Sequence, residues 1–154
     1  MGKSIALFGT SADPPTIGHK KILEELSKIY DLTISYVSNN PNKNHKENIS
    51  IRSHLLKTLI EDLDNSQILF NQNISSQWAV ESIIKCKKIY EINNLDFVIG
   101  SDLIKDIFYW KNFNKITDEV SFLVILREGY PVESTTIKML ETYKVKFKIS
   151  TIKI

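Results

Sequence analysis

The stretch LFGTSADPPTIGHKKILEEL, from Leu7 to Leu26, joins an apolar segment to a helical pattern through a loop of small and polar residues. The segment Ser4–Phe8 before the loop does not alternate, which is typical of a strand buried on both faces. After the loop, apolar residues follow helical spacing at Ile22, Leu23, Leu26, Ile29 and Tyr30. A buried strand followed at once by an amphipathic helix predicts the first half of a βαβ unit.

The same alternation of apolar runs and amphipathic stretches continues to the end of the chain. Further strands are predicted at LTISYV (Leu32–Val37), QILFN, FVIG ending at Gly100, VSFLVIL (Val120–Leu126) and, as an edge strand, VKFKISTIKI. A helix between them has a predicted buried face at Ile51, Leu55, Leu59 and Leu63, widened by Leu56 and Ile60. Another runs from about Gln77 to Ile92, with Ala79, Ile83, Cys86 and Tyr90 on its apolar face.

This pattern predicts an α/β fold: a Rossmann-like doubly wound, mostly parallel sheet of five to six strands with helices on both faces. In such a sheet, ligands bind beyond the carboxyl ends of the strands, where the strand order reverses. The loop that follows the first strand is therefore the first place to look for chemistry.

Composition narrows the class of protein. The chain has 154 residues, of which 42% are hydrophobic and 25% charged, as expected for one globular domain. Its net charge of +2 argues against a nucleic-acid partner. Cys86 is the only cysteine, so an intrachain disulfide and a four-thiolate zinc site are excluded. The sequence contains neither a signal peptide nor a run long enough to span a membrane, which predicts a cytoplasmic protein.

The residues of the opening loop are suited to binding phosphate. Small residues at Gly9, Thr10 and Ser11 let backbone N–H groups approach an anion closely. A helix beginning near Gly18 would place His19 at its positive end, where phosphate is favoured. The loop matches neither the dinucleotide G-x-G-x-x-G pattern nor the phosphate-loop pattern. A tight strand-to-helix connection capped by Thr16 is the alternative.

The segment FGTSADPPTIGH resembles the signature G-[TS]-F-D-P-x-[HT]-x-G-H of the nucleotidyltransferases related to class I aminoacyl-tRNA synthetases. The matching residues are Asp13, Pro14, Thr16, Gly18 and His19, and Ala12 replaces the usual aromatic residue. Other segments are similar to blocks of the bacterial nicotinate mononucleotide adenylyltransferases: VIGSDLIKDIFYWKNFNKI, NPNKNHK (Asn40–Lys46), SSQWAVESI and VILREG. The resemblance extends from Ile5 to about Gly129.

The resemblance implies that residues 1–154 form a single nucleotidyltransferase domain that transfers the adenylyl group of ATP to nicotinate mononucleotide. His19 and Thr16 would be catalytic. The implied ATP- and phosphate-binding residues are Gly9, Thr10, Ser11, Gly18, Gly100, Asp102 and Arg127. The implied mononucleotide-binding residues are His45, Lys46, Arg52, Ser76 and Trp110. Mg²⁺ would be carried by ATP, so no protein metal site is expected. Homo-oligomers are left open.

Each implied residue has a structural alternative. Trp110 would pack in the core, Asp102 would cap a helix, Arg127 and Lys46 would be surface charges, and Arg52 would serve partly in packing.

The end of the chain departs from the family pattern. The family usually continues into an I-S-S-T-x-I-R segment that grips ATP phosphates, and then a closing helix. Here KISTIKI echoes it only through Ser150, Thr151 and Lys153, so we expect either that the sequence is shortened or that the protein has lost part of its ATP clamp. Two alternatives to the implied activity stay open: phosphopantetheine adenylyltransferase, which also favours threonine before the x-G-H, and a nucleotide-binding protein without turnover.

Overall fold

The computed structural model describes residues 3–40 and 43–153, the last of them through its backbone only. Six parallel strands form one sheet in the order β3-β2-β1-β4-β5-β6. They are β1 (Ile5–Thr10), β2 (Leu32–Val37), β3 (Ile68–Phe70), β4 (Asp96–Gly100), β5 (Ser121–Leu126) and β6 (Phe147–Lys153). The order reverses between β1 and β4, so the ligand-binding position of a doubly wound sheet lies between these two strands.

Helices cover both faces of this sheet. They are α1 (Ile17–Ile29), α2 (Ile49–Leu63), α3 (Ala79–Ile89), α4 (Phe113–Glu119) and α5 (Ser134–Thr142), with 3₁₀ turns at Gln72–Ile74 and Ile104–Tyr109. Strand β1 alternates between two cores: Ala6 and Phe8 pack with residues of α1 and α2, whereas Ile5 and Leu7 pack with residues of α3, α4 and α5. The predicted fold is confirmed, including β6 as an edge strand.

Strands β1 and β4 separate towards their carboxyl ends. β1 pairs with β2 along its whole length, from Ile5 opposite Leu32 to Thr10 opposite Val37. With β4, the register holds only from Ala6 opposite Asp96 to Leu7 opposite Phe97. The last three residues of β1 therefore have no register partner on β4. The sheet opens at the switch point, where a ligand would reach the backbone of both strands.

The predicted buried face of α2 is wrong in part. Ile51 and Leu55 are 43% and 39% exposed, and the face packed on the sheet consists of Arg52, Leu56 and Ile60. Two neighbouring stripes of α2 carry apolar residues, one beginning at Ile51 and the other at Arg52. The buried stripe is the one that begins with an arginine, so hydrophobic spacing alone favours the wrong one. The third helix is also shorter than predicted, because α3 covers only Ala79–Ile89 instead of about Gln77 to Ile92.

Helices α4 and α5 and the 3₁₀ turns were not predicted from the sequence. They are short, and α5 begins at Ser134 after the loop that follows β5. Cys86 is buried as predicted, and burial raises the pKa of its thiol to about 12, which makes it inert as a nucleophile. In the described part of the chain, no helix combines the length and apolarity needed to cross a membrane.

Candidate active site

The first turn of α1 holds the ring of His19. Thr16 is the N-cap residue, and its backbone N–H donates to Nδ1 of His19 at 2.9 Å. A backbone N–H can only donate, so Nδ1 must carry a lone pair and Nε2 must carry the proton of the neutral ring. Nε2 lies 2.9 Å from Oγ1 of Thr10 and donates to it. The structure therefore determines the tautomer of His19.

His19 is neutral near pH 7. Burial lowers the pKa of its imidazole below the usual histidine range, and the nearby positive charge of Arg127 lowers the pKa further. Protonation would also replace the lone pair of Nδ1 that accepts from Thr16. The ring accordingly offers one fixed donor, the Nε2–H, at the positive end of a helix dipole.

The loop between β1 and α1 turns tightly around Thr10. Ala12 is fully buried with φ +45°, and its backbone N–H donates to Oγ1 of Thr10 at 3.3 Å. Gly9 lies against Tyr36, because a Cβ at Gly9 would come within 2.6 Å of the Tyr36 ring. Glycine is thus required there by packing. The sequence analysis assigned its small size to anion binding only.

A second loop, residues 43–48, is attached to the first through Asp13. The Asp13 carboxylate accepts hydrogen bonds from the backbone N–H of Lys46 at 2.6 Å and from that of Glu47 at 3.2 Å. These bonds, the Lys46 N–H foremost, hold the pKa of Asp13 below its usual value. Lys43 adds a bond from its ammonium to Oγ of Ser11 at 3.2 Å. The loop that carries Lys46 is therefore fixed relative to the loop that carries His19.

Arg52 is buried, with 2% of its surface exposed, and within the described residues its guanidinium donates only to backbone carbonyls. Nε donates to Glu47 O at 3.0 Å, and Nη1 donates to Ser11 O at 2.9 Å and to Ser38 O at 3.2 Å. The guanidinium joins the loop after β1 to both ends of the connection between β2 and α2, at the carboxyl edge of the sheet. Arg52 therefore holds these loop segments in position, and its direct contact with a mononucleotide stays a prediction.

The side chains of the second loop differ in their surroundings. Lys46 is exposed. The His45 side chain is 11% exposed, its Nδ1 lies 3.8 Å from Oδ2 of Asp13, and neither ring nitrogen has a hydrogen-bond partner among the described residues. Burial, with Arg52 and Lys43, lowers the pKa of His45. Pro41 and Asn42 of the NPNKNHK segment lie outside the described residues.

Asp102 and Arg127 meet beyond the ends of β4 and β5. Nη1 of Arg127 donates to Oδ2 of Asp102 at 3.0 Å, and the Arg127 guanidinium lies 5.9 Å from the centre of the Tyr130 ring. Gly100 makes room for the carboxylate, since a Cβ there would collide with Oδ1 of Asp102. The helix-cap alternative for Asp102 fails, because Leu103 is the N-cap residue of the following 3₁₀ turn.

Trp110 packs against the core while remaining partly exposed. Its ring centre lies 5.9 Å from that of Phe97 and 6.5 Å from that of Phe122, so the core-packing alternative holds for at least one edge of the ring. Ser76 donates to Ile74 O at 3.4 Å. Trp78, which the sequence did not single out, is the N-cap residue of α3, and the Lys111 ammonium lies 5.3 Å from the centre of its ring. A tryptophan just before a helix was the available signal.

Across the described residues, no three His, Cys, Asp or Glu side chains are grouped so that they could hold a metal ion. The two carboxylates of the site are already engaged, Asp13 by backbone N–H groups and Asp102 by Arg127. Their surroundings do not fit a protein cage for a divalent cation.

A doubly wound sheet that opens at its switch point, with a neutral histidine donor at the N-terminus of the first helix, defines a nucleotide-binding α/β protein. The model of the cytidylyltransferase-like family matches residues 7–154, and the chain belongs to that family.

Individual proteins are similar to this chain over most of its length. The protein named "Probable nicotinate-nucleotide adenylyltransferase" of Synechocystis sp. is 29% identical over 146 residues, covering 88% of this chain and 73% of that protein. The protein of the same name from Clostridium tetani is 29% identical over 153 residues, covering 95% of this chain and 76% of that one. Among solved structures, the Plasmodium falciparum nicotinic acid mononucleotide adenylyltransferase complexed with NaAD superposes with a TM-score of 0.78 at 23% identity, covering 99% and 76% of the two chains.

Proposed function

We propose that the protein transfers the adenylyl group of ATP to nicotinate mononucleotide, giving nicotinate adenine dinucleotide and pyrophosphate. The observation that carries the proposal is the fixed Nε2–H of His19 at the N-terminus of α1, beside the opened strands β1 and β4. The curated relatives bear the name of this activity and match most of the chain.

The chemistry requires positioning and charge stabilisation. A phosphate oxygen of the mononucleotide attacks the α-phosphorus of ATP and forms the new P–O bond. The bond from that phosphorus to the oxygen bridging to the β-phosphorus breaks, and pyrophosphate leaves with the bonding electron pair. Charge grows on the non-bridging oxygens, where the Nε2–H of His19, shared with Oγ1 of Thr10, and the backbone N–H groups of the loop near Ser11 would donate. Thr16 would contribute by holding His19 and through its hydroxyl.

The second loop would bind the phosphate of the mononucleotide. Lys46 supplies an exposed ammonium, and His45 has ring nitrogens without partners in the described structure. Arg52 would serve this site indirectly, because its guanidinium is committed to three carbonyls. A loop fixed on both sides by Asp13 and Arg52 pre-organises the acceptor phosphate relative to ATP.

The remaining assignments concern the ribose and the pyridine ring. Asp102, oriented by Arg127 beyond the end of β4, would accept hydrogen bonds from ribose hydroxyls of the nucleotide. Gly100 and Gly18 would allow close approach of the backbone. The exposed part of Trp110 would stack on the pyridine ring, and Ser76 would contact the mononucleotide.

ATP would enter as its magnesium complex, with the cation held by phosphate oxygens and water. The engaged carboxylates of Asp13 and Asp102 support this assignment, and no step above runs through a metal ligand of the protein.

The proposal is tested by incubating the purified protein with ATP, Mg²⁺ and one acceptor at a time, and measuring pyrophosphate and the dinucleotide product. Release with nicotinate mononucleotide, and not with phosphopantetheine, is the expected result. Release only with phosphopantetheine would replace the proposed substrate. Lack of release with every acceptor would support the alternative of a nucleotide-binding protein without turnover.

We propose further that the protein works in the cytoplasm, supported by its single, buried, free cysteine. Cell fractionation tests this. Self-association stays a prediction, and the exposed stripe of Ile51 and Leu55 on α2 offers it an apolar surface. Light scattering on the purified protein would measure its oligomeric state.

A further inference from the structure

Thr10 is the last residue of β1, and its hydroxyl has a constrained set of hydrogen bonds. Oγ1 accepts from Nε2–H of His19 at 2.9 Å and from the backbone N–H of Ala12 at 3.3 Å. In the first bond Nε2 of His19 must be the donor, because Nδ1 of the same ring accepts from the Thr16 N–H. A hydroxyl has two lone pairs and one proton, so both acceptor positions of Thr10 are used.

The hydroxyl proton of Thr10 is therefore the group left to donate. No protein acceptor contacts it among residues 3–40 and 43–153. It lies where β1 has separated from β4, and the ring of His19 links it to the first turn of α1. The bond from His19 polarises the hydroxyl, since a group that accepts hydrogen bonds donates more strongly.

We propose that the Thr10 hydroxyl is a further catalytic group, which donates its proton in a hydrogen bond to a non-bridging phosphate oxygen of the nucleotide. In this arrangement His19 acts partly through Thr10, and the chain Thr16 N–H, His19, Thr10 points its last donor towards the phosphate. The sequence analysis assigned to Thr10 only its backbone. The inference rests on the proposed adenylyl transfer for its role in turnover, but the hydrogen-bond chain itself does not.

Two substitutions separate the hydroxyl from the shape of the side chain. Thr10→Val is nearly isosteric and removes the hydroxyl, whereas Thr10→Ser keeps it. The matched control is Thr33→Val, because Thr33 is a fully buried strand threonine whose Oγ1 has no hydrogen-bond partner in the part of the chain that the structure describes. Thr33 lies on β2, opposite Ala6 and away from the loop.

The expected result is a loss in kcat of about a hundredfold for Thr10→Val, as for removal of one transition-state donor. Thr10→Ser should keep most of kcat, and Thr33→Val should leave it unchanged. Thr10→Val with the wild-type kcat would overturn the proposal. So would a loss in Thr10→Ser as large as in Thr10→Val, because the side-chain shape and not the hydroxyl would then be responsible.

A second measurement does not depend on turnover. In ¹⁵N-labelled protein, the Nε2–H proton of His19 should be observed and protected from exchange in the wild type and in Thr10→Ser. In Thr10→Val it should exchange rapidly. Equal protection in all three variants would overturn the proposal. If the wild type forms no dinucleotide, the proposed function fails. The exchange experiment, together with binding of a non-hydrolysable ATP analogue to the same variants, then still tests the role of Thr10. Weaker binding by Thr10→Val alone supports that role, and equal binding by all variants overturns it.

Discussion

The ring of His19 uses both nitrogens for hydrogen bonds within the protein, one to the Thr16 backbone and one to Thr10. A histidine held in this way combines a helix cap with a chemical donor, so its two roles can be separated by mutation. We expect His19→Ala to lower kcat by about a hundredfold or more. The lost cap contact should cost only about 1 kcal/mol of unfolding free energy.

Steady-state kinetics and urea denaturation measure these two effects. His54→Ala, at an exposed position on α2, is the control and should resemble the wild type in kcat. A His19→Ala protein that is unfolded, or one with full activity, would show that the residue is structural only.

The pKa of His19 tests the electrostatics of the site directly. Burial and the charge of Arg127 both lower it, with burial as the larger cause. The imidazole should therefore titrate below the ordinary value of about 6.5, as the Nε2–H tautomer when neutral. Arg127→Gln removes the smaller cause and should raise the pKa of His19 without bringing it to the ordinary value. NMR titration of the ring signals measures both, and an unshifted pKa in Arg127→Gln would contradict the role given to Arg127.

At the scale of helices, strands and loops, Arg52 connects parts of the chain that are far apart in sequence. Its guanidinium satisfies carbonyls of Ser11, Ser38 and Glu47, so Arg52→Met would leave three partly buried acceptors without a donor. We expect a loss of about 2–4 kcal/mol in unfolding free energy. The KM for the mononucleotide should rise because the second loop loses its anchor.

The matched control for this change is Lys57→Met on the same helix, where the lysine side chain is 59% exposed and pairs only with Glu61 at 4.0 Å. It should change stability by less than about 1 kcal/mol. Chemical denaturation and substrate titrations measure both variants. Equal stabilities of Arg52→Met and Lys57→Met would mean that the three hydrogen bonds contribute nothing measurable.

The elements show why prediction from the sequence succeeds in some places and fails in others. β2 was predicted with the bounds that the structure shows, because five of its six residues are β-branched, aromatic or apolar and polar residues flank the run. The face of α2 was predicted partly wrongly, because burial of Arg52 depends on carbonyls from distant loops. Local spacing contains no information about those partners. The hydrogen bonds between Asp13 and the second loop could not be predicted for the same reason, because they also join residues far apart in the sequence.

Among the site residues, the sequence placed His19 and Thr16 at the helix start, and the structure adds the tautomer. It did not reveal that Thr10 receives the Nε2–H, since that contact depends on the turn at Ala12, whose φ is +45°. The spacing of a motif indicates which residues lie close together in the site. Hydrogen-bond direction follows only from the folded backbone.

At the scale of the whole molecule, the charges around the site predict how stability depends on pH. Burial lowers the pKa of both His19 and His45 in the folded state. Below about pH 6.5 the unfolded chain therefore binds protons that the folded protein does not. The stability associated with these rings is fully present above that pH and is lost as the pH falls towards their folded pKa values. Asp13 and Glu119, whose pKa values are lowered by backbone and lysine donors, add a second loss at more acidic pH, near the titration of carboxyl groups.

Urea denaturation at a series of pH values from about 7.5 to 5 tests the first window, where carboxyl groups remain ionised. Unfolding free energy should decrease as the pH falls, and His45→Gln should decrease the slope because one of the two proton-binding rings is absent from the unfolded chain. The Thr10→Val and Thr10→Ser variants should keep the slope, since burial of His19 is its main cause. A free energy that stays constant across this range in the wild type would mean that the two rings take up protons equally in both states. His19 would then become charged in the folded protein below about pH 6.5, and the lowering of its pKa by burial would be contradicted.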